Sequence, residues 1–126
     1  MQPSFVSEGE DVIAVVAEVA FEKKASSAVA LMVGECLSIV DWFVIVSAAN
    51  RRQVRTIVEE MEKKLRNIGV PISSKEGHDT AEWVLLDCGD VVVHVMTESS
   101  REFYALERLW AGVPSRDLKK ATRPGL

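Results

Sequence analysis

Apolar residues recur at helical spacing most clearly in the segment after Asn50. They return every three or four positions and so share one face of a helix: Val54, Ile57, Val58, Met61, Leu65 and Ile68. Asn50 is a suitable N-cap, with Gln53 as its capping-box partner. Gly69 can adopt a left-handed backbone conformation and Pro71 prevents continuation, so the helix is expected to end near Ile68.

The N-terminal segment also predicts a helix, from about Glu8 to Lys24. Its apolar residues again recur at helical spacing. Ser7 and Glu10 form an S-x-x-E capping box at its start. Acidic residues lie in its first half and lysines at its end, an order that the helix dipole favours.

β-Branched and aromatic residues form continuous or alternating runs between these helices. The runs predict strands at residues 28–33, 42–46, 83–86 and 91–96, with a possible short edge strand at 72–75. A tight turn at Cys88–Asp90 makes the last two strands an antiparallel hairpin, and the helical crossover before them requires a parallel pair. The predicted fold class is therefore α/β: a single-domain mixed β-sheet with helices packed on it.

The C-terminal part predicts one more helix, followed by a tail. Ser99 and Glu102 form a capping box, and Gly112 and Pro114 end the helix. The apolar positions of this helix are Phe103, Leu106 and Trp110. Residues 115–126 are rich in basic side chains and lack apolar periodicity. We therefore predict a domain over residues 1–114 and a basic, disordered tail over 115–126, which either is only solvated or contacts RNA.

The composition narrows the class of protein. A chain of 126 residues with a hydrophobic fraction of 48% suits one domain with a modest core. Its net charge of −4 argues against a wide phosphate-binding surface, so little or no sequence-specific nucleic-acid binding is expected. The chain shows no signal peptide, and no apolar run approaches the ~18 residues of a membrane span. These features predict a cytoplasmic protein that does not contact a membrane, in which Cys36 and Cys88 are reduced thiols.

No residue pattern predicts a metal site, a cofactor or a catalytic residue. His78 and His94 are far apart in the sequence and have no cysteine cluster beside them. The glycine-rich loops that bind nucleotides are absent. Asp41, Asp87 and Asp90 lie near strand ends, so a small magnesium-dependent nucleotidyltransferase is the enzymatic alternative, although their spacing is more typical of turns.

Three arginines lie where the central helix begins: Arg51, Arg52 and Arg55. The N-terminus of a helix attracts anions, so an anion or RNA-phosphate site is one interpretation. The preceding loop has no glycine that would let the backbone approach a phosphate closely. An ordinary helix cap with solvated arginines is the other interpretation.

The predicted hairpin brings several chemically distinctive side chains to one face of the sheet. Side chains alternate along a strand, so Trp83 and Leu85 share one side, and the hairpin can align them with His94 and Met96. Aromatic and methionine side chains commonly anchor protein interfaces, and Tyr104 can flank them. This face is either a protein-binding surface or a surface that packs under a helix.

Five segments of the chain, taken in order, resemble one known family. They are Asp41–Ile45 (DWFVI), Arg52–Arg55 (RQVR), Glu76–Gly77, Trp83–Val95 (WVLLDCGDVVVHV) and Arg101–Trp110 (REFYALERLW). Together they are similar to the signature segments of the Iojap-like ribosomal silencing factors. The resemblance extends from about Glu8 to Pro114.

The resemblance implies a non-enzymatic function. Members of this family bind the fourteenth protein of the large ribosomal subunit and sterically prevent joining of the small subunit, especially when nutrients are limiting. It also implies the topology of a minimal nucleotidyltransferase without the catalytic motif. The residues expected to bind the partner are Trp83, Leu85, Asp87, Met96, Arg101, Tyr104, Glu107 and Arg108. A ribosome-assembly role or a homo-oligomerisation module, such as a homodimer, remains an alternative.

Overall fold

Three helices and six strands are formed by residues 3–34, 40–104, 108 and 111–118, which this computed structural model describes. In chain order they are α1 (Pro3–Glu22), β1 (Ser27–Met32), β2 (Trp42–Ala48), α2 (Arg51–Asn67), β3 (Ser74–Glu76), β4 (Trp83–Asp87), β5 (Val91–Thr97), α3 (Glu98–Tyr104) and β6 (Ser115–Asp117). None of the described helices combines the length and hydrophobicity needed to cross a membrane.

The strands form one mixed sheet in the order β3-β4-β5-β2-β1-β6. β2 and β5 are parallel, with Val44 opposite Val93, and the other neighbouring strands run antiparallel. Gly89, with a φ of 86°, allows the tight turn between β4 and β5. The predicted fold class, hairpin and parallel pair are confirmed.

Helices α1 and α2 cover one face of the sheet and form the main core with it. Inward-facing β-branched residues such as Val44, Val46, Val93 and Val95 meet the helices there. The buried stripe of α2 matches the predicted stripe over Val54, Ile57, Val58, Met61 and Leu65. Ile68 is the exception because it is the C-cap residue and is 50% exposed.

The predicted start of α1 is wrong. The helix already begins at Pro3, so Ser7 and Glu10 lie inside it and cannot form its capping box. Proline is well suited to the first turn of a helix because it needs no backbone hydrogen-bond donor there. The end of the helix is close to the prediction: α1 ends at Glu22, and Lys24 adopts a positive φ of 59°.

The predicted cap of α3 is also wrong. β5 continues to Thr97 and the helix follows at once, so the hydroxyl of Thr97 accepts the capping bond from the Ser100 backbone N–H at 3.2 Å. Ser99 lies within the first turn instead. The predicted positions Leu106 and Trp110 lie outside the described residues.

The predicted disordered tail is wrong for its first four residues. Ser115–Asp117 form strand β6, which pairs antiparallel with β1 at the edge of the sheet. Leu118 is only 1% exposed and belongs to the main core. Arg116 forms an ion pair with Glu10 at 3.1 Å and lies 5.1 Å from the ring centre of Trp42. The rest of the predicted tail, residues 119–126, lies outside the described residues.

Candidate partner-binding face

The face of the sheet opposite α1 and α2 carries three rows of side chains across β4, β5, β2 and β1. The rows are Trp83–Met96–Ser47–Ser27, Leu85–His94–Ile45–Val29 and Asp87–Val92–Phe43–Leu31. We call this surface the Trp83 face. The predicted alignment, in which Trp83 and Leu85 share a side with His94 and Met96, is confirmed.

The exposure of the Trp83 face differs from strand to strand. On β4, which lies next to the edge strand β3, Trp83, Leu85 and Asp87 are all partly exposed. On the central strand β5, His94 is 7% exposed and Met96 is fully buried at 0%. Phe43 on β2 and Val29 on β1 are also partly exposed, so β4 is one accessible part of the face and β5 is its buried part.

Met96 is wrongly predicted as a partner-binding anchor. It packs in a second, smaller core with Leu31, Val33 and Ile45, and partly buried residues such as Trp83 and Val113 close over this core. Met96 lies between Trp83 on β4 and Ser47 on β2, whereas β3 pairs with β4 only from Leu85 to Asp87 and leaves Trp83 without a paired residue on that side. The two interpretations of this face thus apply to different parts of it: β4 is partly open, and Met96 is packed.

Trp83 is held by a hydrogen bond to the imidazole of His94. The indole Nε1–H donates to Nδ1 of His94 at 3.0 Å, and the two ring centres are 5.9 Å apart. Phe43 packs against the other side of this arrangement, edge-on to the imidazole at 5.1 Å. Burial lowers the pKa of His94 to about 4, so the imidazole is neutral at physiological pH.

Arg101 fixes α3 to the end of the sheet. Its guanidinium donates to the hydroxyl of the buried Ser47 at 2.7 Å and also to the hydroxyl of Ser27. An open cleft of about 720 Å³ lies here, lined by Ser26, Ser27, Ser47, Glu98, Ser99, Arg101, Glu102 and Arg108. The structure thus brings Arg101 and the exposed Arg108 to one cleft, at the same end of the sheet as Trp83. Tyr104 is the last residue of α3, and Glu107 lies outside the described residues.

The acidic residues of the nucleotidyltransferase alternative have local roles in the structure. The Asp87 carboxylate accepts a hydrogen bond from the Gly89 backbone N–H at 3.0 Å and stabilises the hairpin turn. Asp41 and Asp90 are linked through their backbones at 2.9 Å. Across residues 3–34, 40–104, 108 and 111–118, no group of three or more metal-ligating side chains is placed to hold a metal ion.

Two of the three arginines near the start of α2 have protein partners. Arg51 forms an ion pair with Glu82 at 3.5 Å, and Arg55 donates to the backbone carbonyl of Asp79 at 2.7 Å. Asn50 caps the helix as predicted, accepting from the Gln53 backbone N–H at 2.9 Å. The geometry therefore favours the helix-cap interpretation over an anion site.

The loop before β4 contains a positioning residue that the sequence reasoning missed. Gly77 has a φ of 82°, and a Cβ placed there would lie 2.1 Å from the carbonyl oxygen of Trp83. The same loop buries Ala81, and the carbonyl of Glu82 accepts from the Thr97 backbone N–H at 3.0 Å. The available signal was Gly77 itself, which the sequence analysis used only as part of the Glu76–Gly77 segment of the family resemblance.

Comparison with known proteins places this fold in a family. Residues 6–125 match the family model described as ribosomal silencing factor during starvation. The chain belongs to this family. Membership gives it a ribosome-associated silencing role and confirms the resemblance seen in the sequence. The match continues past Pro114, in agreement with the position of β6 within the fold.

Individual members of the silencing factor family show how close the similarity is. The ribosomal silencing factor RsfS of Halalkalibacterium halodurans is 40% identical over 98 residues, which cover 78% of this chain and 84% of that protein. A crystal structure from Chromobacterium violaceum superposes with a TM-score of 0.77 at 33% identity, covering 82% of this chain and 86% of that chain. A crystal structure from Bacillus halodurans superposes with a TM-score of 0.74 at 34% identity, covering 85% of this chain and 97% of that chain. A mouse relative named mitochondrial assembly of ribosomal large subunit protein 1 is 37% identical over 73 residues, covering 56% of this chain and 32% of that protein.

Proposed function

We propose that this protein represses translation in the cytoplasm by binding the large ribosomal subunit and keeping the small subunit from joining. Its contact on the subunit is the fourteenth large-subunit protein. The observation that carries the proposal is the partly exposed Trp83 and Leu85 on a rigid sheet face, in a chain of the silencing factor family. Large aromatic side chains of this kind supply most of the binding energy at many protein interfaces.

The Trp83 face is preorganised for binding. β4 is hydrogen-bonded to β3 on one side and to β5 on the other, so its backbone is fixed before a partner arrives. Trp83 is further held by its bond to His94. Side chains that are already ordered lose little entropy on binding, so more of the contact energy becomes affinity.

The charge of the protein supports a protein partner over RNA. The net charge is −4, and ribosomal proteins are usually basic. Attraction between opposite charges speeds the approach of the two surfaces, while apolar anchors determine how long they stay together. We therefore expect little or no sequence-specific contact with ribosomal RNA.

Silencing by this mechanism requires that the protein occupy its site on the large subunit, and it involves no chemical step. The bound protein fills space at the surface where the small subunit docks, so the free energy of binding competes with that of subunit joining. No cofactor or metal takes part. A magnesium-dependent enzyme would instead be stabilised by ATP and Mg²⁺, and a clear rise in the melting temperature with these ligands would contradict the proposal.

The test is binding and subunit joining with face-specific variants. We expect Trp83→Ala to weaken binding to purified large subunits by about 30- to 1000-fold, equivalent to about 2–4 kcal/mol. The matched control is Met32→Ala, since Met32 is 44% exposed but lies on the opposite face of the sheet. The proposal would be refuted if Trp83→Ala sedimented with large subunits as well as the wild type does. It would also be refuted if subunits joined normally when large subunits are saturated with the wild-type protein.

A role in assembly of the large subunit is a second candidate, and the name of the mouse relative favours it. Assembly and silencing predict different defects in cells that lack the protein. Loss of an assembly factor leaves immature large subunits, whereas loss of a silencing factor leaves mature subunits that join freely in starvation. Ribosome sedimentation profiles from growing and starved cells distinguish the assembly role from the silencing role. A homodimer, which is a separate alternative, would be detected by light scattering of the purified protein.

A further inference from the structure

His94 is a polar residue in the apolar centre of the Trp83 face. It lies on the central strand β5, between Leu85 and Ile45 in the same row, and is 7% exposed. Burying a polar ring is unfavourable unless hydrogen bonds compensate for the lost water. Within the described part of the chain, Nε2 of His94 is buried and has no hydrogen-bond partner. The compensation at this ring therefore comes from Nδ1.

Nδ1 of His94 is used to hold Trp83. An indole N–H can only donate, so Nδ1 must be the unprotonated nitrogen that accepts the bond. Trp83 is paired with Met96 across the strands and not with His94, which is opposite Leu85. The hydrogen bond is therefore diagonal and draws the indole toward the middle of the face.

We propose that His94 is a positioning residue that fixes the Trp83 indole across the face in the orientation that the partner binds. The effect of His94 on ribosome binding rests on the proposed function. Without an acceptor at this position, the indole N–H would lose this hydrogen bond. The anchor would then be less ordered before binding, and ordering it would reduce the affinity.

The neutral state of the imidazole supports this role. Only a neutral histidine has a nitrogen that can accept, and burial keeps the pKa of His94 at about 4. The bond therefore persists through the physiological pH range.

The test uses two substitutions of different chemistry at one position. His94→Asn retains an acceptor close to the place of Nδ1, whereas His94→Phe removes it and keeps the site filled. In the free protein, NMR of the Trp83 indole N–H, assigned with Trp83→Phe, reports the bond directly. We expect slow hydrogen exchange in the wild type and His94→Asn and fast exchange in His94→Phe.

Affinity for large subunits gives the second measurement. We expect His94→Phe to bind about 3- to 10-fold more weakly and His94→Asn to bind nearly as well as the wild type. In a Trp83→Phe background, which has no indole N–H, the His94→Phe substitution should have no further effect. This cycle separates positioning from a general loss of stability, which would weaken binding in both backgrounds.

Failure of this inference is distinguishable from failure of the proposed function. Slow indole exchange in His94→Phe, or unchanged affinity of His94→Phe when Trp83→Ala binds poorly, overturns the positioning role. Normal binding by Trp83→Ala overturns both the binding face and the role of His94 in recognition.

Discussion

We propose that two residues, His94 and Gly77, influence how Trp83 is presented. His94 holds the indole through Nδ1, while Gly77 allows the preceding loop to pass close to the Trp83 carbonyl. His94 is buried, and Gly77 is exposed but has no side chain. Both act by limiting where Trp83 can be, so substitutions at either position are expected to alter the face without removing an atom that touches the partner.

The buried histidine predicts a specific dependence of stability on pH. The pKa of His94 is about 4 in the folded protein and 6.5 in the unfolded chain, so between these values the unfolded chain binds a proton that the folded chain does not. The free energy of unfolding should therefore fall as the pH drops below about 6.5, by about 3 kcal/mol in total once the pH is below about 4. Urea unfolding of the wild type and His94→Asn between pH 7 and pH 4 measures this contribution. Parallel curves for the two proteins would contradict it.

Substitution of Gly77 should be far more harmful than substitution of another glycine with the same backbone conformation. Gly77→Ala combines a φ of 82° with a Cβ at 2.1 Å from the Trp83 carbonyl oxygen. Gly69→Ala is the control, because its φ is 81° but nothing lies within 4 Å. We expect the control to cost about 1 kcal/mol of unfolding free energy and Gly77→Ala clearly more, with a shifted Trp83 indole signal. Equal losses for the two variants would show that the close approach is unimportant.

At the scale of elements, α2 is fixed at its start by more than its N-cap. The Gln53 carboxamide accepts from the Ala49 backbone N–H at 2.7 Å and donates to the carbonyls of Lys23 and Lys24 at 2.9 and 3.1 Å. It thus satisfies backbone groups just after α1 and just before α2 at once. The two helices that cover the main core are joined at this point.

β6 is stabilised by its pairing with β1 and by Leu118, the residue that follows it. It has only three residues, too few to form a strand without a neighbour, and β1 supplies that neighbour. Leu118 then enters the core and is 1% exposed. A chain that is truncated after Pro114 would lose both the edge strand and this apolar contact.

Leu118→Ala should therefore destabilise the domain by about 2–5 kcal/mol, the range for removal of a buried leucine side chain. The matched control is Ile68→Ala, because Ile68 is a large apolar residue that is 50% exposed and should change the free energy of unfolding by less than about 0.5 kcal/mol. Chemical denaturation of the two variants gives both values. A Leu118 variant as stable as the control would place this residue outside the core.

At the scale of the whole molecule, the two faces of the sheet are covered unequally. α1 and α2 cover one face of the sheet and form the main core with it. The opposite face has a smaller core, and its side chains on β4 are partly exposed. The larger core makes the sheet rigid. The partly exposed side chains of β4 are thus presented from an ordered backbone, which suits the recognition of a preformed protein surface.

The charge of the molecule predicts how its binding responds to salt. If an acidic domain of net charge −4 binds a basic ribosomal protein, screening should slow association several-fold between about 50 and 300 mM salt. Dissociation should change little, because the proposed anchors Trp83 and Leu85 make apolar contacts, which salt does not screen. Association and dissociation rates on immobilised large subunits, measured across this range, test both statements. A salt-dependent dissociation rate with constant association would indicate that ion pairs hold the complex.

The sequence by itself determined the elements whose information is local. The stripe of α2, its Asn50 cap and its end at Gly69 follow from helical spacing and from the conformational limits of single residues. The hairpin and its faces follow from alternation, because neighbouring side chains in a strand must point to opposite sides. The family also followed from short ordered segments of the sequence, and with it the silencing role.

Only the tertiary structure decided what covers each face and which distant groups meet. Alternation put Met96 and Trp83 on the same side, but it could not show that the central strand is enclosed while β4 stays partly open. The Trp83–His94 bond crosses strands diagonally, and β6 depends on pairing with a segment more than eighty residues earlier. The physical reason is that local periodicity fixes the direction of a side chain, whereas burial and pairing depend on elements that approach only when the whole chain has folded.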